Sequence, residues 1–594
     1  MHQYEAPLND MRFVIHELVG LAKVEELNGF DEVSEDLVDA VLEEAGKFAA
    51  DILAPLNRSG DVEGARWDDG EVSTAEGWQS AYSEFCEAGW NGLALNPEFG
   101  GQGLPKILAT AVSEMWNGAN LSFAVCPMLI QGAIEAIESH GSDALKKTYL
   151  EKMVSGEWTG TMNLTEPQAG SDLSKVRSKA VPEGDHYLIS GQKIYITYGE
   201  HDLTDNIIHL VLARTPDAPE GTRGISLFVV PKFLVNDDGS IGERNDVRCV
   251  SIEHKLGIHA SPTAVMSYGD NGGAIGYLVG EENRGLPYMF TMMNAARHAV
   301  GLEGVAIGDA AYRHALRHAR ERVQGQPIGG EEGASIIEHP DVRRMLMTMR
   351  AKVEAMRALA YVCALEYDVA ERHSDTEVRE RAARRGDLFT PIVKGWSTET
   401  GQQVASIGVQ IHGGMGFVEE TGAAQFYRDS RITTIYEGTT GIQAGDLVGR
   451  KTLRDGGQAV AELIEEMRVT LTAMDGASDA SVAAIRRALN SAVDDFEATV
   501  GWLLESAADP RKPAAGSVYY LEMAGCVCGG WMLAESARIA AEKLAANEGD
   551  ENFYRAKIAA AVFFAQHVLP VIPSLKAAIT DGAESTLALA AEAL

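Results

Sequence analysis

Hydrophobic and polar positions follow different rhythms in successive parts of the chain. From Ser34 the text "SEDLVDAVLEEAGKFAADILAPL" puts Leu37, Val41, Leu42, Ala45, Phe48, Ala49 and Ile52 at helical spacing. A candidate N-cap serine and two acids suited to a first turn precede them. Glycine-rich "NPEFGGQGLP" interrupts this texture, which then resumes through "AIEAIESHGSDALKKTYLEKMVSG". From about residue 158 the period falls to two, or to short β-rich runs, in "HYLISGQKIYITYG", "NIIHLVLART", "GISLFVVPK" and "TAVMSYGD". Turn residues separate these runs, and the pattern predicts strands. Helical periodicity returns at about Leu286 and continues to about residue 450. The small-residue linker "TAMDGASDASVAA" then leads into a last Ala-, Leu- and Glu-rich segment. The predicted class is α+β, with an N-terminal helical domain at 1–157, a middle β domain at 158–284, a helical-bundle domain at 285–455 and an extra helical C-terminal domain at 456–594. The apolar stripes of the last segment, which has no Lys-rich face, suit packing against the main body or a partner subunit better than a membrane surface.

Bulk properties narrow the functional classes. A chain of 594 residues exceeds one ordinary core, so several packed units are expected. Its formal net charge of −35 repels nucleic acid and anionic lipid, so neither is an expected partner. No stretch approaches the roughly 18 uninterrupted apolar residues of a membrane span, so no integral membrane association is expected. The opening "MHQYEAPLNDMRF" has neither a signal-peptide nor a transit-peptide pattern, which points to the cytoplasm. The six cysteines are scattered, and the one close pair, Cys526 and Cys528, lacks metal or redox spacing. Buried free thiols are expected. His314 and His318 sit four apart with no third ligand arranged around them, so they read as a solvated basic helix face and no metal is predicted.

Three separated motifs carry chemistry: "MNLTEPQAGSDL" (162–173), "GQKIYIT" (191–197) and "VQIHGGMGF" (409–417). The first offers the Thr165 and Ser171 hydroxyls in a glycine-containing turn, groups able to bond a heterocycle edge or an amide. In the second, strand alternation puts Tyr195 and Thr197 on one face, an aromatic ring beside a hydroxyl. The third pairs glycines so that backbone N–H groups can approach an anion. Downstream, Glu437 stands in "RITTIYEGTTGIQ" among small and β-branched residues. A carboxylate in a dry pocket is a base whose pKa burial raises toward the task of removing a proton.

Together, in this order and spacing, the motifs resemble the FAD-dependent acyl-CoA dehydrogenase family from about residue 30 to residue 450. The resemblance implies a barrel-like middle β domain and dehydrogenation of an acyl-CoA thioester to a trans-2-enoyl-CoA. It implies that Met162, Leu164, Thr165 and Ser171 line the flavin ring, with Ser171 also near the acyl-CoA. Asn163 departs from the family's usual small residue. Tyr195, where Trp is commoner, Ile196 and Thr197 are implied on the other side of the ring, with the Thr197 hydroxyl near flavin N5. Arg322 and Gln324 are implied at the pyrophosphate. His339 corresponds to a cofactor-side histidine but is separated from Arg322 by about seven extra residues. Gln410, Gly413 and Gly414 are implied to reach the adenosine diphosphate half of FAD on a neighbouring subunit, so a homodimer or tetramer follows.

Glu437 follows Gln410 by 27 residues, inside the tetrad Y-E-G-T, and is implied as the catalytic base. Gly438 and Thr439 would let the chain pass close to flavin and thioester. Some relatives carry the base just before the helix arginine, here Arg297, but that position is Ala296, which takes no proton. Asn294 and Arg297 correspond to substrate-side residues, with Asp commoner at the former. Electrons are expected to leave through electron-transfer flavoprotein. The phrases "YEAPLNDMRFVIHEL", "LAPLNRSGD" and "GEENRGLPYMF", with the extra C-terminal domain, resemble a bacterial branch acting on a methylthio-substituted short acyl-CoA. A broad-range short- to medium-chain fatty acyl-CoA dehydrogenase is the alternative, and an acyl-CoA oxidase delivering electrons to oxygen is the rival of another class.

Overall fold

The computed structural model describes residues 4–477 and 479–593. Helices dominate up to Val154, strands run from Trp158 to Leu278, and helices resume at Gly285. The described residues divide into two compact units, one of Lys47–Leu104 and Ala119–Ala296 with Tyr4 and Glu5, the other of Ala6–Gly46, Pro105–Gly118 and the described residues from Arg297 on.

Helix α1 (Glu35–Phe48) starts where the cap pattern predicts, with the Leu37 N–H donating to Ser34 Oγ at 3.3 Å. Its buried stripe runs through Val38, Leu42 and Ala45 and on to Ala49 and Leu53. Leu37 and Val41, expected inward, sit half-buried on its flank, one position round from the true stripe. Helix α2 spans Lys106–Ala119, α3 Leu121–His140 and α4 Asp143–Val154.

In the first unit, α3 packs along a mixed sheet of eight strands. These are β1 (Trp158–Asn163), β2 (Lys179–Glu183), β3 (His186–Thr197), β4 (Asn206–Ala213), β5 (Ser226–Pro231), β6 (Val247–Ile252), β7 (Thr263–Tyr268) and β8 (Ala274–Leu278). Their order is β6-β7-β3-β8-β5-β4-β1, with β2 paired to β3. All pairs are antiparallel except β1 with β4. Strands β1, β4 and β5 are buried along their whole length, as near-continuous apolar runs such as "NIIHLVLA" require.

In the second unit, α5 (Gly285–Glu321), α6 (Pro340–Arg372) and α7 (Thr376–His412) are the long helices. Asp375 caps α7, its Oδ1 accepting from the Glu377 and Val378 amides at 2.8 and 3.4 Å. The C-terminal segment adds α8 (Gln458–Ala473), α9 (Ala480–Glu505), α10 (Ser517–Ala546) and α11 (Glu551–His567). Helix α10 lies against α6 and α7, so the stripes of "YYLEMAGCVCGGWML" cover the bundle as expected. The "GCVCGG" glycines have a packing cause: a Cβ at Gly525 would meet the Trp396 ring at 2.0 Å. Among the described residues, two helical segments are long and apolar enough to span a membrane, Leu121–His140 and Glu551–Thr580, and 78% and 50% of their apolar windows are buried within the protein. The six cysteines are free, five of them buried and Cys86 half-buried.

Candidate active site

In the second unit, α7 ends at the glycine turn Gly413–Phe417, and the chain returns through a short helix and the turn Arg431–Thr434 to the acid. Glu437 holds a left-handed backbone, φ 52°, a conformation disfavoured for a residue with a side chain and found where surrounding structure enforces it. The enforcing contacts are visible. Lys394 of α7, fully buried, donates to the Thr433 and Gly438 carbonyls at 2.8 Å each. Gln443 donates to the Glu437 and Gly438 carbonyls at 3.2 Å each. Thr439 caps the following helix, accepting from the Ile442 amide at 3.3 Å.

The electrostatics fit a base. Glu437 is half-buried, and desolvation raises its carboxyl above its ordinary value, with Lys394 and Arg297 pulling the other way. Burial also brings Lys394 down to about 8, against the pull of Glu303 and Glu437. Arg297 is paired with Asp446 at 3.0 Å, and its Nε has no partner. Gln443 Oε1 is likewise buried and unbonded. Ala296 is a buried methyl group, 6% exposed, and Asn294 is half-buried.

The strand motifs lie together in the first unit. Ile194 donates its amide to the Thr165 carbonyl at 2.9 Å. Fully buried Lys193 donates to the Leu164 carbonyl at 3.1 Å and pairs with Glu166 at 2.8 Å. Burial pushes the Glu166 carboxyl up, but Lys193 and the Ser178 and Arg177 bonds outweigh it and hold it at about 2. Strict alternation fails at Tyr195: the pairing of β3 with β7 shifts register there and Tyr195 takes φ 60°. At the bulge Tyr195 is 61% exposed, with Thr197 half-buried on the same strand. Ile196 points into the sheet core and offers only its backbone to a ligand. Met162 is buried, Leu164 and Thr165 are half-buried and Ser171 is exposed. Asn163 is a core residue, accepting from the Tyr268 hydroxyl at 2.7 Å and reaching His209 at 3.3 Å. Its departure from the family pattern therefore has a structural cause within the sheet.

The residues implied at the pyrophosphate also meet, within the second unit. Exposed Arg322 bonds Gln324 at 3.3 Å, and His339 Nε2 lies 3.0 Å from the Gln324 carbonyl. The extra residues loop out from a bridge between Val323 and Ser335, so they leave His339 beside Gln324. Gln410, Gly413 and Gly414 are exposed at the end of α7, and the space around both glycines is open. His314 and His318 are half-buried rather than solvated, both stacked on His412, with ring centroids 4.7 and 4.3 Å away.

Each unit carries groups of a kind that suits FAD: in the first an uncovered aromatic ring beside a hydroxyl on a bulged strand, in the second open glycines at a helix end and an exposed arginine. Sequence reasoning missed Glu303, Lys394, Tyr436, Gln443 and the Lys193–Glu166 pair. The available signal was a charge inside an apolar helical run, as in "AVGLEGVAIG" and "LFTPIVKGW".

Comparison with known proteins agrees. Residues 36–157, 161–270 and 283–453 match the family models "Acyl-CoA dehydrogenase, N-terminal domain", "middle domain" and "C-terminal domain", and 463–590 match "Acetyl-CoA dehydrogenase C-terminal like". The chain is 52% identical to 3-methylmercaptopropionyl-CoA dehydrogenase of Ruegeria pomeroyi over 98% of its length and 99% of the relative. It is 35% identical to a broad-specificity linear acyl-CoA dehydrogenase of Mycobacterium tuberculosis, over 98% of each chain. An acyl-CoA dehydrogenase of Bacillus anthracis, solved with FAD, shares the fold with a TM-score of 0.74 at 21% identity, over 94% of this chain and 89% of that one. With its fold, its acid loop and these matches end to end, the chain belongs to the acyl-CoA dehydrogenase family, oxidoreductases that use FAD and act on acyl-CoA thioesters.

Proposed function

We propose that the protein oxidises 3-(methylthio)propanoyl-CoA at its α,β-carbons, with Glu437 as the base that removes the α-proton. Bound FAD supplies the acceptor for the β-hydrogen, which leaves as hydride, giving the trans-2-enoyl-CoA and reduced cofactor. The reaction rests on Glu437, whose partial burial raises its proton affinity, whose carbonyl is held by Gln443 and whose neighbour Gly438 is held by Lys394. Its own N–H would bond the thioester oxygen, stabilising the enolate-like charge as the α-proton departs. The acyl group rests on the 52% identity to the Ruegeria enzyme over nearly the whole chain. A broad short- to medium-chain range is the second reading, favoured by the 35% identity to a relative described as broad-specificity.

Met162, Leu164, Thr165, Ser171, Tyr195, Ile196 and Thr197 would hold the ring, Arg322, Gln324 and His339 the pyrophosphate, and Asn294, Arg297 and Gly438 the substrate. Exposed Met415 and Phe417, 53% and 87%, beside Gln410, Gly413 and Gly414 favour a homodimer or tetramer in which that segment meets the neighbouring subunit's cofactor. Electron-transfer flavoprotein is the proposed acceptor and the cytoplasm the proposed location.

Anaerobic bleaching of the flavin by a panel of acyl-CoAs tests the substrate. The methylthio thioester should reduce it fastest, and faster reduction by butyryl- or octanoyl-CoA would assign the broad-range reading instead. Glu437→Gln should keep the yellow flavin and the bound thioester but lose bleaching. Stoichiometric peroxide on aerobic turnover would make the protein an oxidase.

A further inference from the structure

A second carboxylate stands behind the base. Glu303 of α5 is fully buried in an apolar stretch of helix, and its Oε2 accepts the hydroxyl of Tyr436, the residue immediately before Glu437. Its other oxygen, Oε1, is buried without a partner. Both carboxyls share the field of one buried ammonium, Lys394, which clamps the carbonyls of Thr433 and Gly438 on either side of the Tyr436–Glu437 step. The remaining charged groups around these residues are Arg297, already paired with Asp446, and the carboxylates Glu399 and Asp429.

We propose that Glu303 is a positioning residue for the base, acting on Glu437 through the Tyr436 phenol and through the field it shares with Lys394. The phenol hydrogen bond fixes the residue that enters the left-handed turn at Glu437, so Glu303 sets the direction of the carboxylate that follows. Its charge state sets the proton affinity of that carboxylate. A buried carboxylate with one oxygen lacking any donor is costly when ionised, and burial pushes Glu303 up to about 8 despite Tyr436 and Lys394. Near neutrality it is the uncharged acid, and Lys394 then acts fully on Glu437. Above about pH 8 Glu303 ionises while Lys394, itself brought down to about 8, has its charge offset or lost, so the ionised base loses that stabilisation and faces a second carboxylate. Glu437 becomes the stronger base, and α-proton removal speeds up.

This inference rests on Glu437 being the base, and the two can fail separately. In the FAD-loaded protein, the rate of flavin reduction by 3-(methylthio)propanoyl-CoA, with butyryl-CoA as a second substrate, should step upward across pH 8. The Glu303→Gln variant keeps an acceptor for the phenol but cannot ionise, and with only Lys394 left to titrate its step should be smaller and lie at lower pH, because the carboxylate that raises Lys394 is gone. Infrared difference spectra should show a neutral-acid carbonyl band disappearing over the same range in the native protein and not in Glu303→Gln. The Tyr436→Phe variant should retain that band but reduce the flavin more slowly, because the phenol link is cut. A Glu303→Gln profile and band titration that superimpose on the native ones would overturn the role of Glu303. Full bleaching by Glu437→Gln would instead overturn the assignment of the base.

Discussion

The ammonium of Lys394 lies 2.8 Å from the carbonyl oxygen of Gly438, the residue after the proposed base, and 2.8 Å from that of Thr433 before it. A bond from a charged donor contributes about 1.5–3 kcal/mol. Lys394→Met should therefore destabilise the fold by roughly 3 kcal/mol or more, because it removes two such bonds, takes the charged donor from the Thr433 carbonyl and leaves the Gly438 carbonyl to Gln443 alone. Lys394 also lowers the proton affinity of Glu437. Its loss should move the acidic limb of substrate-driven flavin reduction to higher pH, since a larger share of the base is then protonated at a given pH. An unmoved limb in the folded variant would mean that the ammonium only braces the backbone.

The Glu166–Lys193 pair, with its lysine on β3, makes a pH-dependent contribution to stability. Glu166, 3% exposed, has a folded value of about 2 against an ordinary 4.5. A carboxyl depressed on folding stabilises the native state when ionised, so the contribution is complete above about pH 4.5 and disappears as the pH falls toward 2. Its size is about 3 kcal/mol. Lys193→Met should cost about 3–5 kcal/mol at neutral pH by leaving a buried carboxylate without its cation. It should also flatten the loss of stability between pH 4.5 and 2, read from urea unfolding at a series of pH values.

The elements legible from sequence were those fixed by local periodicity. The Ser34 cap, the buried runs of β4 and β5 and the helices from Gly285 on all follow from side-chain spacing and turn chemistry. The Tyr195 bulge was not legible: a register shift depends on the partner strand, and alternation within "KIYIT" cannot report it. Glu437 was visible because its motif is short and contiguous. Glu303 and Lys394 reach it from helices 134 and 43 residues upstream, so only the folded chain brings them to the loop. The same holds for Asn163, an anomaly in the motif until His209 and Tyr268 appear beside it.

Two glycines in long C-terminal helices should respond to alanine in opposite directions. Alanine is worth about 1 kcal/mol over glycine in a helix. At Gly501 in α9 a Cβ meets nothing within 4 Å, so Gly501→Ala should gain up to that amount. At Gly525 in α10 the Cβ would lie 2.0 Å from Trp396 Cγ and 2.4 Å from Cδ1. Relief needs the indole or the helix to move, and overpacking of this kind costs about 1–3 kcal/mol. Gly525→Ala should therefore lower the melting temperature while Gly501→Ala raises or holds it. Equal shifts in both would show that Trp396 adjusts freely.

The C-terminal segment is tied to the bundle by charge as well as by packing. Lys557 of α11, 2% exposed, pairs with Asp10 and, at 3.1 Å, with Glu354 of α6. Arg357 also pairs with Asp10, with Glu114 at 2.6 Å and with Asp309 at 3.0 Å. Burial alone would push the Asp10 carboxyl up, but the two cations hold it well below its ordinary value. Lys557→Met leaves Asp10 and Glu354 buried with less compensation, and the expected loss is about 3–5 kcal/mol. Asp10→Asn in the same chain removes the charge that Lys557 chiefly neutralises, so the double variant should be more stable than the sum of the single losses predicts. A coupling of about 1–3 kcal/mol in that cycle is the expected result, read from chemical unfolding of the full chain. Strict additivity would show that Lys557 serves Glu354 rather than Asp10, and Glu354→Gln in place of Asp10→Asn would then carry the coupling.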